Sequence, residues 1–467
     1  MSSQKGLGCD SDIRAAVADG IGKLMLWAVE AAQKPLPDEV LSKAALVLVD
    51  DVAAISAAHS VPEVAALYAG IQGRSHAGEA RVYRPGAPAA SRQDAALING
   101  VAGCWLELDE GFRGAPCHAG LYVIPALLAE AETRALTLEH VLAVLAVAYE
   151  VTSRMAETWK FPAMSVHPHA AFASLGASCG AGLARGLPAE KLIAALNIAG
   201  GMVPAGTYQA AVEGALVRNL WVGMSSCIGM QALDLAEAGF DGYEDGPHPA
   251  FTQLLNAEVF KEKLTDNLGK RWAIQGGYHK LHGCCHSTHA AAEAALEAAG
   301  KLRAAGGAQR VETIELFTHR PSMSNRAPKN TLAARFSFEH VVAAALSIGS
   351  TGPQAFSEEV IEDPEVAFLR NRVRLLPYEP LPAWPEDRPA RLVITMDDGR
   401  QLDTECMSAP GGPDHPISAE MLLQKVAGLT ADDFPSFPDH ARSIVEGNGG
   451  MRGKTWQEII MKMLARP

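Results

Sequence analysis

Residues 167–184 read His-Pro-His-Ala-Ala-Phe-Ala-Ser-Leu-Gly-Ala-Ser-Cys-Gly-Ala-Gly-Leu-Ala. After the opening His-Pro-His, the stretch is apolar and consists almost entirely of small residues. Small side chains on a helix let a neighbouring helix approach closely, because the distance between two packed helices depends on the side chains at their contact. The run 170–184 therefore predicts a helix within a tightly packed helical core.

Helical spacing of apolar residues continues on both sides of this run. It predicts further helices at 37–58, 91–107, 121–135, 138–158, 189–199 and 215–238. Ser91 followed three residues later by Asp94 resembles a capping box and marks the start of the second of these helices. The first two-thirds of the chain are thus expected to be helical.

The pattern changes after about residue 269. Strands are expected at 271–274 and 311–318, and alternation at 391–396 and 401–406 around Asp397-Asp398-Gly399 predicts a hairpin. Helices are expected at 287–303, 330–346, 364–375, 419–427, 441–445 and 455–464. We predict a mainly α protein: a large all-helical domain (residues 1–268 and 410–467) with a smaller α+β domain (269–409) inserted.

Composition excludes several classes of function. The 467 residues carry a formal net charge of −13 and no cluster of basic residues, which argues against nucleic acid as a partner. No secretory signal or membrane-spanning run is expected, and the eight scattered cysteines favour reduced thiols in the cytoplasm. Any anionic substrate must be attracted by a few cations inside a cleft.

The first candidate site segment is Glu107-Leu-Asp109-Glu-Gly, followed by Arg113 and His118. A carboxylate can orient an imidazole and tune it as a base near neutral pH. An acidic helix end with a surface loop is the alternative interpretation.

The second candidate is His167, where a helix start offers backbone N–H groups to a carboxylate. A histidine that only caps the helix fits equally well.

The densest cluster of reactive side chains is His279-Lys280-Leu-His-Gly-Cys284-Cys285-His-Ser-Thr-His289. Four histidines and two cysteines invite a zinc interpretation, but their spacing is not that of a zinc finger. A loop that brings Lys280 and a histidine to an anionic substrate is the better hypothesis. We therefore expect no metal.

Two weaker signals remain. Arg218 lies in the first turn of a predicted helix, where it opposes the helix dipole, and this suggests a carboxylate partner or a structural salt bridge. His340 lies in another predicted helix, where a histidine is most often packed against its neighbours.

Neither a dinucleotide-binding glycine motif nor a phosphate-binding loop occurs, so no nucleotide cofactor is expected.

Taken in order, these segments resemble the MmgE/PrpD superfamily, which contains 2-methylcitrate dehydratase, cis-aconitate decarboxylase and iminodisuccinate epimerase. The resemblance covers nearly the whole chain. It rests on motifs at 107–111, 118–126, 167–168, 239–242, 280–289 and 336–337. It implies a helical domain with an α+β lid domain, a homodimer, and a cleft that works without metal or cofactor.

The resemblance also implies roles for individual residues. The acidic position falls on Glu107 or Asp109, the histidines on His118 and His167, and the lysine on Lys280. Further substrate contacts are expected from Arg218, Arg113, His289 and His340. The expected function is a cofactor-independent lyase of the 2-methylcitrate dehydratase type, which removes a proton next to a carboxylate of a small di- or tricarboxylate. The alternatives are an epimerase of a dicarboxylate such as iminodisuccinate, favoured by departures such as Glu-Leu-Asp-Glu-Gly at 107–111, and a metal-binding protein without catalytic activity.

Overall fold

The computed structural model describes residues 4–73 and 78–465, with side chains from residue 11 onward. It confirms a mainly α protein. The helices of the first part are α1 (Gln4–Ala32), α2 (Asp38–Ala57), α3 (Pro62–Gln72), α4 (Arg92–Gly103), α5 (Ala119–Thr133), α6 (Leu138–Thr158), α7 (Pro168–Ala184), α8 (Ala189–Gly201), α9 (Gln209–Val212) and α10 (Val217–Glu237).

Helix α7, formed by the small-residue run, lies at the centre of this part. All of its residues are buried, and it packs against α5, α6, α8 and α10. A Cβ atom on Gly229 of α10 would lie 2.6 Å from the backbone nitrogen of Ser178. On α7 itself, a Cβ on Gly176 would lie 2.9 Å from that of Tyr122. The small residues therefore allow the close helix contacts that the sequence predicts.

Short strand pairs occur between the helices, and two of them connect distant segments of the chain. They are β1 (Ala80–Arg81) with β2 (Ala89–Ala90), β3 (Gly111–Phe112) with β6 (Gly277–Tyr278), and β4 (Trp159–Lys160) with β5 (Glu258–Val259). In the antiparallel pair of β3 and β6, Gly111 lies opposite Tyr278. This pairing brings the acidic segment at 107–110 next to Lys280.

A second hydrophobic cluster covers a four-stranded sheet, whose order is β10-β9-β7-β8. The elements of this part are α11 (His289–Ala304), β7 (Val311–Thr318), α12 (Thr331–Arg335), α13 (Phe338–Ile348), α14 (Glu358–Glu362), α15 (Pro364–Arg370), β8 (Val373–Pro377), β9 (Ala390–Met396) and β10 (Gln401–Cys406). Strands β9 and β10 form the expected hairpin, and Gly399 supplies the positive φ (82°) that its turn requires.

The chain then returns to the first part. Helices α16 (Ala419–Thr430), α17 (Phe437–Glu446) and α18 (Trp456–Met463) belong to the same hydrophobic cluster as α1 to α8. Among the described residues, no helix is both long enough and apolar enough to cross a membrane. Every cysteine whose side chain is described is free; Cys9 lies outside that set.

Three predictions of local structure are wrong. Residues 271–274 form no strand: a 3₁₀ turn (Ala273–Gly276) occurs there because the buried carboxylate of Glu150 accepts the backbone N–H of Ala273. Residues 330–346 form two helices, since Ser337 begins a new one by capping His340 N–H. The helix at 364–375 ends at Arg370, because the following residues pair with β7.

The ends of some predicted helices also shift, and four helices of the described residues were not predicted. Helix α4 ends at Gly103, before the acidic segment that was expected to close it. The four unpredicted helices are α1, α3, α9 and α14. Glycine interrupts the pattern of α1, where Gly20 packs against Leu264: a Cβ at that position would lie 2.7 Å from Leu264 Cδ1. The reason for this glycine is tertiary packing, which helical periodicity does not reveal.

Candidate active site

The acidic segment between α4 and β3 is buried. Glu107, Asp109 and Glu110 each expose 1% or less of their surface. Glu107 also has a φ of 55°, in the left-handed region that non-glycine residues seldom adopt. Such conformations cost free energy and persist where the surrounding structure enforces them. Here the enforcing contacts are ion pairs.

Two buried cations neutralise two of these carboxylates. Lys280 Nζ donates to Glu107 Oε2 (2.9 Å) and to Asp109 Oδ1 (3.2 Å), while Arg218 forms an ion pair with the other oxygen of Glu107. Burial alone would raise the pKa of Glu107, but Arg218 and Lys280 outweigh it and lower the pKa. Burial would likewise lower the pKa of Lys280, yet Asp109 and Glu107 raise it. All four groups are therefore charged.

His118, the N-cap residue of α5, lies against this cluster. Its Nδ1 is 2.7 Å from Asp109 Oδ2 and 2.9 Å from the backbone oxygen of Glu110. Burial opposes ionisation of Asp109, but Lys280 and His118 hold its pKa far below the usual value. Because an ionised carboxylate and a carbonyl only accept hydrogen bonds, Nδ1 carries the proton. The lone pair of neutral His118 is therefore on Nε2, which has no partner among the described residues.

His167 has a different environment. Its Nδ1 lies 3.2 Å from the N–H of His169, and its Nε2 lies 3.3 Å from Nε of Arg218. A neutral imidazole has one acceptor nitrogen, so only one of these two contacts is a hydrogen bond. Burial and the neighbouring Arg218 lower the pKa of His167 well below its usual value. His167 is thus held neutral and gains protons poorly.

A second network of charges contacts the backbone of the acidic segment at Leu108. Asp50 accepts from Lys425 Nζ (2.5 Å) and lies 2.7 Å from His279 Nδ1. Lys425 also donates to the backbone oxygen of Leu108 (2.7 Å), between the two carboxylates of the site. His279 immediately precedes Lys280. Asp50 therefore anchors the backbone on both sides of the Lys280–Asp109 contact.

A further pair of buried carboxyl groups, Asp51 and Glu110, lies beneath the start of α5. Glu110 accepts from Gly120 N–H (2.6 Å) and from the Tyr149 hydroxyl (2.9 Å), and Asp51 accepts from Glu110 N–H (2.9 Å). Burial raises the pKa of Glu110 to about 8, and burial together with Glu110 raises that of Asp51 well above its usual value. This pair retains a proton at neutral pH.

A cavity of about 80 Å³ adjoins His118. Two arginines that no sequence motif indicated, Arg320 and Arg388, line it together with Tyr208 and Tyr278. Neither arginine has a carboxylate within ion-pair distance among residues 11–73 and 78–465. Arg388 donates to His286 Nδ1 (2.6 Å), and Arg320 lies over the ring of Tyr208 at 5.9 Å. The cavity therefore combines a basic imidazole nitrogen with two uncompensated positive charges.

The predicted residues divide into two groups. Glu107, His118, His167 and Arg218 line the cavity, whereas Asp109 and Lys280 lie directly behind it. The expected substrate contacts Arg113, His289 and His340 are not in its lining.

Each of these three residues has a protein partner instead. Arg113 pairs with Asp387, and His289 Nε2 lies 3.2 Å from the Cys284 carbonyl. His340 lies between the Ala355 carbonyl (3.0 Å) and Arg370 (3.1 Å), and burial lowers its pKa to about 4.

Sequence reasoning missed Arg320 and Arg388 for a physical reason. Arg320 follows the end of β7, and a charged residue just after a buried strand is a signal that could have been used. Arg388 lies in a proline-rich connection before β9, where nothing in the local pattern marks it. The two arginines are 68 positions apart and meet only through the fold.

The geometry also bears on metal binding. Among the described residues, Asp109, His118 and His169 place potential ligand atoms within 4.8 Å of one another. However, Asp109 is already neutralised by Lys280, and Tyr122 engages His169 Nδ1 (2.8 Å). The buried cations next to this group would repel a divalent ion.

The two cysteines of the cluster have separate partners. Cys284 Sγ accepts from the Thr288 hydroxyl (3.1 Å), whereas Cys285 Sγ lies 3.5 Å from the Tyr208 hydroxyl. Cys285 lines the cavity and Cys284 does not. Adjacent cysteines that face different environments do not form a ligand pair.

Comparison with known proteins identifies the family of this chain. The MmgE/PrpD N-terminal domain family matches residues 22–251, and the MmgE/PrpD C-terminal domain family matches residues 282–448. The chain belongs to the MmgE/PrpD family.

Similar curated proteins cover most of the chain at low identity. A cis-aconitate decarboxylase-like protein of Aspergillus oryzae is 23% identical over 453 residues, which is 89% of this chain and 91% of that protein. Cis-aconitate decarboxylase of Aspergillus terreus is 24% identical over 463 residues, covering 91% and 92%. The Mus musculus cis-aconitate decarboxylase is 27% identical over 362 residues, covering 71% and 70%.

Proposed function

We propose that the protein is a cofactor-independent lyase that removes a proton next to a carboxylate of a di- or tricarboxylate. The observation that carries this proposal is the tautomer of His118: Asp109 and the Glu110 carbonyl hold the proton on Nδ1, so Nε2 is the basic atom. A base of this kind is worth about 10²–10⁴-fold in rate. His118 is the proposed base, in preference to His167.

Arg320 and Arg388 supply the charge that this reaction needs. Removing a proton next to a carboxylate creates an enolate-like negative charge, which positioned cations stabilise. Lys280 and Arg218 are already paired with Glu107 and Asp109, so they serve as positioning residues more readily than as clamps for substrate. Guanidinium groups bind carboxylates in a bidentate manner, which fixes the substrate's orientation.

Two tyrosines of the cavity can assist the departing group. Burial raises the pKa of both Tyr208 and Tyr278, so both hydroxyls keep their protons at neutral pH. Either can donate a hydrogen bond to a leaving hydroxyl or to a carboxylate. The same base and cations would also serve an epimerase, in which the proton returns to the opposite face of the carbon.

Incubation of candidate acids in deuterated water, followed by NMR, tests the proposal. An alkene product with loss of water or CO₂ is the expected result. Deuterium at the α-carbon without loss of either would identify an epimerase instead. The His118→Asn variant should lose the reaction, while His140→Asn, a half-buried histidine on α6 outside the cavity, serves as the matched control. An unchanged rate in His118→Asn would contradict the assignment of the base.

The family resemblance adds three proposals that concern the whole molecule. The part around the four-stranded sheet acts as a lid domain (residues 269–409), the protein resides in the cytoplasm, and it forms a homodimer. Exposed Val217, Leu220 and Met224 follow one another along one face of α10, and such apolar patches often mark protein contacts. Light scattering coupled to gel filtration tests the dimer: a monomeric mass would exclude it.

A further inference from the structure

A larger pocket adjoins the cavity that contains His118. It has a volume of about 510 Å³, against about 80 Å³ for the cavity itself. Most of its lining residues are apolar, and they include the aromatic residues Trp159, Phe161, Phe172 and Phe260. We call it the side pocket. Binding a carboxylate requires neither a space of this size nor apolar walls.

The side pocket and the cavity share part of their walls. Pro116, Pro168, Tyr208 and Arg320 line both spaces. Arg320 therefore lies at the junction, and its guanidinium has no carboxylate partner among residues 11–73 and 78–465. A substrate carboxylate bound to Arg320 would leave one end of the molecule directed at His118 and the other end directed at the side pocket.

The side pocket has few charged lining residues besides Arg320, and most of its lining residues are apolar. Glu157, one of its lining residues, is ion-paired with Arg271, and its other charged groups besides Arg320 are Lys160 and Lys263. Lys160 is exposed to solvent, where a contact with an anion is worth little. Burial of apolar surface is thus the main source of affinity that this pocket offers, at about fourfold for each CH₂ group buried.

The backbone has an unusual conformation at the edge of the side pocket. Met164, which lines the side pocket, has a φ of 61°. A non-glycine residue in this region is strained, and such strain often occurs at ligand sites. The antiparallel bridge between Val166 and Thr207 holds the segment in place.

We propose that the substrate is a di- or tricarboxylate with an apolar substituent larger than methyl. The carboxylates bind at Arg320 and Arg388, and the substituent fills the side pocket. This inference rests on the proposed function for the location of the reacting carbon. The affinity of the side pocket itself can be measured without turnover.

Calorimetry with a series of 2-alkylsuccinates (hydrogen, methyl, butyl and octyl) tests the proposal. We expect the dissociation constant to fall steeply with chain length, by up to about fourfold for each CH₂ group. Ala163→Trp, at an exposed position that lines only the side pocket, should abolish the gain for the longer chains and leave succinate unchanged. Ala66→Trp, at an exposed position of α3, is the matched control and should keep the wild-type series.

Two results would overturn the inference: affinity that does not depend on chain length, or an equal loss for every member of the series in Ala163→Trp. The second result would identify the side pocket as an access route only.

The proposed function is tested separately from this inference. If chain length governs affinity but no 2-alkylcitrate is converted in the NMR assay, the proposed reaction fails while the apolar subsite stands.

Discussion

Asp109 is the residue on which the candidate site depends. One of its oxygens accepts from Lys280 and the other faces His118 Nδ1, so a single carboxylate fixes both the charge balance and the histidine tautomer. Asp109 does not line the cavity and is therefore a positioning residue. The sequence motifs predict Asp109, His118 and Lys280 as site residues. The fold then shows that, of these three, His118 lines the cavity and the other two do not.

Replacing Asp109 with Asn should lower kcat by about 10²–10⁴-fold with a small change in KM. The amide carries no negative charge, so it would no longer stabilise the imidazolium that forms when His118 Nε2 accepts a proton. Steady-state kinetics measure the effect. Asp433→Asn is the matched control, because Asp433 pairs with His59 (3.0 Å) outside the cavity. Equal activity in the two variants would contradict the role of Asp109.

Arg320→Met should raise KM more than it lowers kcat. A hydrogen bond to a charged group contributes about 1.5–3 kcal/mol, which corresponds to a loss in substrate affinity of about 10- to 150-fold. Arg374→Met, an exposed arginine on β8, is the control. Titration with an inert tricarboxylate provides a binding constant that does not depend on turnover. If Arg320→Met binds this ligand as tightly as the wild type, Arg320 does not hold the carboxylate.

At the scale of elements, α7 and its neighbours determine where the histidines lie. The close approach of α10 to α7 places Arg218, in the first turn of α10, beside His167, the N-cap of α7. Small residues at the helix contacts are therefore a condition for the geometry of the site as well as for packing.

Gly229→Ala should destabilise the protein by about 1–3 kcal/mol, because the new Cβ would meet the backbone of α7 at 2.6 Å. Gly22→Ala is the matched control: no atom lies within 4 Å of its new Cβ, and alanine favours the helix by about 0.5–1 kcal/mol. The midpoints of thermal unfolding measure both effects. A Gly229→Ala protein as stable as the wild type would show that the two helices can separate without cost.

Elements with strong local patterns were predictable, and elements that depend on tertiary partners were not. The predicted bounds of α6 (138–158) and β7 (311–318) agree with the structure, because each has a clear period. The sequence pattern predicts a helix over 364–375, but β8 begins within that range because its residues pair with β7. The same distinction applies to the site: its motifs could be read from the sequence, whereas the convergence of Arg320 and Arg388 could not.

At the scale of the whole molecule, the surface and the cavity differ in charge. The chain has a formal net charge of −13, yet its candidate cavity contains two uncompensated arginines. Buried acids beneath α5 account for part of the acidic excess. The carboxyl pair of Asp51 and Glu110 couples the stability of this region to pH, because one of its protons is retained in the folded state.

Glu110→Gln should change how stability depends on pH. The folded protein holds the Glu110 proton up to about pH 8, whereas an unfolded chain releases it near 4.5, so the folded state binds more protons between these values. The stabilisation is full below about pH 4.5 and is lost as the pH rises through about 8. Relative to the wild type, the variant should therefore gain stability from pH 5 to pH 8 in denaturant titrations. A constant difference between the two proteins would contradict the raised pKa.

The central claim is that His118 Nε2 removes a proton from a carboxylate held by Arg320 and Arg388. A crystal structure with propane-1,2,3-tricarboxylate, which has no leaving group, tests it most directly. We expect a carboxylate about 3 Å from each guanidinium and a methylene carbon about 3–3.5 Å from His118 Nε2. A ligand that binds to the two arginines with no carbon near His118, or that binds outside the cavity altogether, would contradict the claim.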